Sequence, residues 1–128
     1  MLGNKDVAAT IPVRDLNAAR KFYENTLGLK LADDSQEPEA LVYKSGSSQI
    51  LVYRSQYAGT NKATAATWDV GDDIEKIVPA LKTKGVAFEH YDMPGMTLKG
   101  DVHVADGVKA AWFKDPDGNI LNIVSTGT

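Results

Sequence analysis

Short β-prone runs and one helical pattern follow each other in the first half of the chain. Residues 7–13 favour a strand, and Asp15 then supplies the side chain of a helix N-cap. Gly28 favours the end of that helix, a strand is expected at 29–32, and a Ser-Gly turn joins a hairpin of residues 40–44 and 49–54, with a polar loop at 33–37. The apolar positions of the helix have helical spacing: Leu16, Ala19, Phe22, Tyr23 and Leu27.

The same order of elements returns in the second half. Residues 63–70 and 86–90 predict strands, and Asp72 with Glu75 predicts a capping box at the start of a helix that ends at Gly85. Pro79 is expected to bend or shorten this helix. Residues 92–107 predict a long irregular stretch before a last hairpin, which turns at Asp115-Pro116-Asp117-Gly118. The buried stripe of the helix is expected to be Ile74, Ile77, Val78 and Leu81.

These two halves match as an internal repeat. Four positions of the first half match positions 57 residues later, three of them with the same residue, and the apolar faces of the helices match best at 58. The pattern predicts the unit strand–helix–strand–strand–strand twice, with a generic two-layer α+β domain as the alternative. The pairs at 57 positions are Val13 with Val70, Asp15 with Asp72, Gly28 with Gly85, and Leu29 with Val86.

Composition narrows the classes of function. A chain of 128 residues with 43% hydrophobic and 24% charged residues is typical of one globular domain. The absence of cysteine excludes disulfides, thiolate metal sites and thiol nucleophiles. The net charge of −3 and the scattered basic residues disfavour nucleic acid as a partner. No apolar run predicts a membrane span, and a polar start without a signal-peptide core favours the cytoplasm.

The chain opens with Ile11-Pro12-Val13-Arg14-Asp15-Leu16, followed by Leu27-Gly28-Leu29, and it ends in an Asp-Pro-Asp-Gly-Asn hairpin at 115–119. These stretches resemble the vicinal-oxygen-chelate superfamily, which includes glyoxalase I, bleomycin-resistance proteins and dioxygenases. The resemblance implies an α+β fold in which two βαβββ modules form a cupped, mostly antiparallel sheet with the helices outside. Residues 1–128 would be a single such domain, with modules at about 6–54 and 63–125. The resemblance also implies a homodimer, because related proteins pair strand edges between subunits.

In the metal-dependent members of that superfamily, His, Gln or Glu occupies four strand positions on the inner face. The corresponding positions in this chain are Ala8, Leu51 or Val52, Ala65 and Asn122. Alkyl side chains have no lone pair for a metal, and one neutral amide oxygen is a weak ligand. We therefore expect no metal and no cofactor, which argues against glyoxalase I and ring-cleaving dioxygenase activity.

The only histidines, His90 and His103, are expected to face solvent. The alternative is a non-standard metal site in which both meet Asp69, Asp92 or Asp101 across the long stretch.

Strict alternation from the mapped positions predicts a small apolar pocket with a few hydroxyl and amide groups. The aromatic residues Tyr43, Tyr53, Trp68, Tyr91 and Trp112 supply either core or ligand contacts. The inner face is expected to include Pro12, Ile120 and Val124, and Val52 replaces Leu51 and Tyr53 if the register slips. The residues predicted to contact a ligand are Ala8, Thr10, Leu51, Tyr53, Ala65, Thr67, Asp69, Met93, Met96, Trp112 and Asn122.

The leading functional hypothesis is a metal-free protein that binds and sequesters a small drug-like or aromatic molecule. The alternative is an enzyme of the superfamily, a lyase, isomerase or dioxygenase, with a displaced metal site or with metal-independent chemistry. Asp69, Tyr53 or His103 would then be the acid–base candidates. A third possibility is an interaction module without a ligand.

Overall fold

The first half of the chain forms a mixed sheet and a helix. In the computed structural model, residues 1–32 and 40–126 are described, so the predicted loop at 33–37 lies outside the described residues. The sheet has the order β1-β4-β3-β2, with β1 parallel to β4 and the other pairs antiparallel. The strands are β1 (Ala9–Val13), β2 (Lys30–Leu31), β3 (Ala40–Ser45) and β4 (Ser48–Arg54), and helix α1 (Leu16–Arg20) continues as a π-helical turn (Lys21–Thr26).

The first helix begins and ends where the sequence predicts. Asp15 Oδ1 accepts the backbone N–H groups of Asn17 and Ala18 at 3.0 and 3.1 Å, which confirms the N-cap. The Leu27 N–H reaches back five residues to the Phe22 carbonyl, and Gly28 follows with a positive φ of 76°. Ala19 and Tyr23 are fully buried, so the predicted apolar stripe faces the core.

The second half repeats this arrangement with additional strands. Its sheet runs β5-β10-β9-β8-β7, and β6 also pairs with β9. β5 is parallel to β10, as β1 is to β4, and the other pairs are antiparallel. The elements are β5 (Thr64–Asp69), a 3₁₀ turn (Gly71–Asp73), α2 (Ile74–Thr83), β6 (Phe88–Glu89), β7 (Thr97–Lys99), β8 (Val102–Ala105), β9 (Val108–Lys114) and β10 (Ile120–Ser125).

The predicted capping box at the start of α2 is wrong. Asp72 lies inside the 3₁₀ turn, and Asp73 occupies the N-cap position without a side-chain hydrogen bond. Glu75 instead pairs with Lys109 Nζ on β9 at 2.6 Å. The tight turn between β5 and α2 therefore shifts the helix start by one residue. Pro79 lies inside α2, which continues to Thr83.

The expected irregular stretch at 92–107 contains a hairpin. Strands β7 and β8 pair with each other, and β8 extends the sheet along β9. Gly100 turns the chain with a φ of 64°, and the adjacent Asp101 carboxylate accepts bonds from Lys82 Nζ at 2.7 Å and His90 Nε2 at 2.8 Å. The Gly-Asp pair between two β-prone triplets was the signal for this hairpin.

One buried core joins both sheets to both helices. Ile11, Val52 and Tyr43 from the first sheet share a cluster with Phe113 and Leu121 from the second, and all five are at most 1% exposed. The helices cover this side, and β1 lies beside β5. The predicted α+β class is therefore confirmed as two mixed sheets with helices packed on one side.

Candidate functional site

The face of the first sheet that points away from the helices carries several predicted contact residues. Ile11 and Val13 of β1 are fully buried, whereas Thr10 is exposed. On β4, Val52 is fully buried and its neighbours Leu51 and Tyr53 are half-buried. The strand alternation thus places Leu51 and Tyr53 with Thr10 on the side away from the core, which we call the open face, and places Val52 in the core. Ala8 lies before β1 and is exposed.

The open face of the second sheet is organised around Asn122. This residue pairs with Thr67 on β5 and with Trp112 on β9, so the three side chains form a row across the sheet. Asn122 is only 5% exposed, and its Nδ2 donates to the Ala111 carbonyl at 3.0 Å. The amide nitrogen is therefore already used by the sheet.

A β-bulge interrupts the predicted alternation on β5. Ile120 pairs with Thr64, and Leu121 pairs with Ala66, so Ala65 has no partner in the register. Thr64 takes the open-face position that strict alternation assigns to Ala65, and it accepts the Trp112 Nε1–H at 3.2 Å. Ala65, Thr67 and Asp69 are all exposed. A one-residue insertion in the pairing leaves no mark in the hydrophobic pattern, and for this reason sequence reasoning missed Thr64.

Trp112 and Met93 line a shallow cleft at the end of this face, which we call the Trp112 cleft. It encloses about 270 Å³ between Lys62, Ala63, Thr64, Tyr91, Met93, Trp112 and Ile120. The rings of Tyr91 and Trp112 meet edge to face at 5.5 Å. Lys62 and Ala63 were not predicted as contacts: Lys62 lies in the polar connector, and Ala63, which the pattern assigned to the start of the strand, precedes β5. Met96 lies instead in an adjacent hollow of about 350 Å³, which Met93 and Tyr91 share.

The Tyr91 hydroxyl has an unusual environment in the cleft wall. Its oxygen is buried, and it makes no hydrogen bond among the described residues. Burial raises the pKa of Tyr91, and the nearby Glu89 carboxylate raises it further. The phenol is therefore held in its neutral form as a hydrogen-bond donor without an acceptor.

The expectation that both histidines face solvent is wrong for His103. Its side chain is 1% exposed, and its Nε2 lies 2.9 Å from the Tyr91 N–H while Nδ1 lies 3.3 Å from the Ala110 carbonyl. One neutral tautomer satisfies both contacts, with Nδ1 donating and Nε2 accepting. The ring also packs edge to face on Trp112 at 5.0 Å. His103 therefore packs beside Trp112 on the same face of the sheet, whereas His90 is exposed and pairs with Asp101.

The acid–base candidates do not converge on the cleft. Asp69 Oδ1 accepts the Gly71 N–H at 3.1 Å at the end of β5, and Tyr53 lies on the first sheet. Both ring nitrogens of His103 are occupied by backbone groups. These three residues do not form a shared proton-transfer site.

The four mapped metal positions do not fit a divalent cation. Ala8, Leu51 and Ala65 offer no donor atom, and Asn122 offers one neutral amide oxygen. Within residues 1–32 and 40–126, no three His, Asp or Glu side chains are grouped closely enough to hold a metal.

No helix in those ranges is long and apolar enough to cross a membrane.

Comparison with known proteins identifies the family. The sequence model of the Glyoxalase/Bleomycin resistance protein/Dioxygenase superfamily matches residues 7–123. No curated protein sequence matches the chain significantly.

Among solved structures, a glyoxalase family protein from Enterococcus faecalis has a TM-score of 0.72 at 20% identity, covering 98% of this chain and 100% of that one. Fosfomycin resistance protein FosX from Mesorhizobium loti has a TM-score of 0.67 at 11% identity, and the match covers 95% of this chain and 92% of that one. Lactoylglutathione lyase from Agrobacterium tumefaciens has a TM-score of 0.69 at 15% identity, and the match covers 95% of this chain and 93% of that one. The repeat, the two mixed sheets and the family match agree, and the chain belongs to the glyoxalase/bleomycin resistance protein/dioxygenase superfamily.

Proposed function

We propose that the protein binds and sequesters a small aromatic molecule in the Trp112 cleft, without a metal ion. The observation that carries this proposal is the cleft itself, in which two aromatic rings and a methionine surround about 270 Å³ of half-exposed space. Aromatic rings and methionine provide large, adaptable contact areas for flat apolar ligands. Thr64 and the Lys62 ammonium at the edge offer polar contacts that would orient such a ligand.

Residues of the open face beyond the cleft would extend the site. Thr67 and Asn122 lie in register with Trp112, and β1 lies beside β5, so the face continues towards Thr10, Leu51 and Tyr53. A larger drug-like ligand would contact this row after its ring enters the cleft. Met96 would contribute through the adjacent hollow.

The test is a thermal-shift titration with 2-naphthol, combined with the fluorescence of Trp112 in a Trp68→Phe background. Binding to the native state alone should stabilise the fold by about 2.7 kcal/mol at roughly one hundred times the dissociation constant. Ala63→Phe, in the cleft wall, should abolish the Trp112 response. Ala80→Phe, on the exposed side of α2, is the matched control and should respond as the parent protein does.

Two outcomes would redirect the proposal. An unchanged Trp112 response in Ala63→Phe would show that the ligand does not enter the cleft. Ala65→Phe tests the adjoining bulge, and normal binding by this variant would show that the ligand does not contact the bulge.

The enzymatic alternative finds less support in this geometry. A lyase, isomerase or dioxygenase without the usual ligands would need its own acid–base group, and Asp69, Tyr53 and His103 lie apart from one another or are engaged by the backbone. A resistance role would accord with the similarity to FosX, a fosfomycin resistance protein.

Metal content is a separate prediction. Purified protein should contain no stoichiometric divalent metal, and a chelator should leave the melting temperature unchanged, because the mapped positions offer one weak donor. Elemental analysis and calorimetry with and without chelator measure this. About one zinc, nickel, manganese or iron per chain would contradict the metal-free proposal.

A further inference from the structure

A second cavity lies on the helix side of the molecule, and its lining residues differ from those of the open face. It encloses about 200 Å³, and none of its lining residues belongs to the Trp112 cleft. Trp68 lines it from β5, where Trp68 and the open-face residue Thr67 point to opposite sides of the strand. We call it the helix-side cavity, and its lining is Leu27, Leu29, Ser45, Trp68, Val70, Ile77, Leu81, Phe113 and Ile123.

The helix-side cavity is lined partly by buried core residues and partly by half-buried residues. Phe113, Ile123 and Leu81 are core residues between 1% and 8% exposed. Around them, Trp68 and Ile77 are half-buried, so their apolar surfaces border the unfilled space. Apolar surface without a packing partner loses contact energy, and an apolar cavity of about 150 Å³ in another protein is known to accept a benzene ring. A small apolar molecule would therefore gain contacts on several sides without displacing a protein group.

The lining selects the chemistry of the occupant. Among residues 1–32 and 40–126, all of the lining side chains are apolar except Ser45, whose Oγ accepts the Trp68 Nε1–H at 2.9 Å. This part of the lining carries no charge, so a carboxylate or ammonium would lose hydration there without compensation. The Trp68 and Phe113 rings favour an aromatic partner, and the Ser45 hydroxyl can donate one hydrogen bond. The volume suits one or two rings and is too small for a segment of another protein.

We propose that the helix-side cavity is a second ligand site, which binds a small uncharged aromatic compound between α2, the second sheet and the segment that follows the first helix. The site does not depend on the Trp112 cleft, because the two share no residue. Each contains one of the two tryptophans of the chain, which gives each site its own reporter.

The experiment follows the two indole N–H resonances in a ¹⁵N-labelled protein, assigned with Trp68→Phe and Trp112→Phe variants. p-Cresol and toluene are the probes, and benzoate is the charged comparison. Both neutral probes should move the Trp68 resonance saturably, and benzoate should not. A response of Trp112 concerns the proposed function and leaves this inference unaffected.

Ile77→Phe fills the helix-side cavity from α2 and should remove the saturable Trp68 shift while raising the melting temperature. Ala80→Phe adds the same ring to the exposed side of the same helix and should leave the shift intact. If Ile77→Phe does not fold, Val70→Leu reduces the same space by one methylene and should weaken the shift.

Three results would overturn the inference. The first is a Trp68 resonance that neither neutral probe moves. The second is an equal response to benzoate, which would remove the selectivity for uncharged rings. The third is a Trp68 resonance that moves with protein concentration in the absence of probe, because a second copy would then cover the cavity.

Discussion

Tyr23 connects the first helix to the last hairpin through a buried hydrogen bond. Its hydroxyl donates to Asp115 Oδ2 at 2.8 Å, and Asp115 also accepts the backbone N–H groups of Asp117 and Asn119. Asn119 Nδ2 continues the network to the Pro12 carbonyl at 2.7 Å. Residues 92 positions apart in the chain are thereby held in one polar cluster inside the core.

Replacement of Tyr23 by Phe should destabilise the protein at neutral pH by about 1–3 kcal/mol, because the buried carboxylate loses a donor. Tyr57→Phe is the control, since Tyr57 is 68% exposed. Urea denaturation of both variants measures the difference. Equal stability of Tyr23→Phe and the parent protein would contradict the structural role of the bond.

The same variant should change the alkaline stability. Burial, together with the Asp115 charge and hydrogen bond, raises the pKa of Tyr23 well above the ordinary value of 10.0. Because the folded pKa is raised, the contribution of Tyr23 to stability is complete below pH 10 and is lost as the pH rises above it. Tyr23→Phe should lose less stability between neutral pH and pH 11 than the parent protein does.

Asp101 fixes the β7–β8 hairpin to α2. Hydrogen bonds from Lys82, which has the larger effect, and from His90 hold the pKa of the Asp101 carboxyl below the usual value of 3.8. A lowered folded pKa means that this contribution to stability is present above pH 3.8 and is lost as the pH falls below it.

Asp101→Asn should therefore lower stability at neutral pH by about 1 kcal/mol or less, because Lys82 and His90 are half-exposed. It should also reduce the loss of stability in acid. Asp92→Asn, at an exposed position, is the control. Thermal unfolding at neutral pH and near pH 3 tests both statements, and an unchanged acid slope for Asp101→Asn would count against them.

At the scale of elements, the connector between the two halves packs tightly on the last hairpin. An ideal Cβ at Gly59 would lie 1.9 Å from the Asp117 carbonyl oxygen, and Gly59 has a φ of 70°. The connector and the Asp-Pro-Asp-Gly turn can approach this closely only because Gly59 has no side chain.

Alanine substitutions at Gly46 and Gly59 distinguish the cost of this close contact from the cost of backbone strain. Gly46→Ala, at a φ of 57° with no atom of the described residues within 4 Å of the new Cβ, should cost about 1–2 kcal/mol. Gly59→Ala should cost clearly more, because the carbonyl must also move. Similar losses in denaturant unfolding would show that the connector yields easily.

At the scale of the whole molecule, the open face and the strand edges are where a second copy could pair. Leu51 and Trp112 are half-buried on that face, and β2 is an edge strand of two residues. Exposed sheet edges favour association, and closed dimers are the commonest outcome.

We therefore expect a homodimer at micromolar concentration in sedimentation velocity experiments. Monomers at that concentration would contradict the expectation. Repetition of the measurement with 2-naphthol would show whether a ligand in the Trp112 cleft changes the association.

Local sequence signals were sufficient for most of the fold. Asp15 caps α1, the Ser-Gly and Asp-Pro-Asp-Gly turns close their hairpins, and the apolar stripe of α2 faces the core. These features depend on residues close in the chain and on the repeat of 57 positions, so the sequence alone determined them.

The tertiary structure decided which residues line the candidate site. The bulge that brings Thr64 opposite Ile120 arises from pairing between strands distant in the chain, and the alternation of apolar residues does not encode it. His103 is buried because Tyr91 and Ala110 supply backbone partners for both ring nitrogens, which no local pattern indicates. The helix-side cavity exists only because side chains from both halves fail to fill the space between them. Local propensity sets the elements, whereas pairing and packing between distant segments determine which side chains share a cleft.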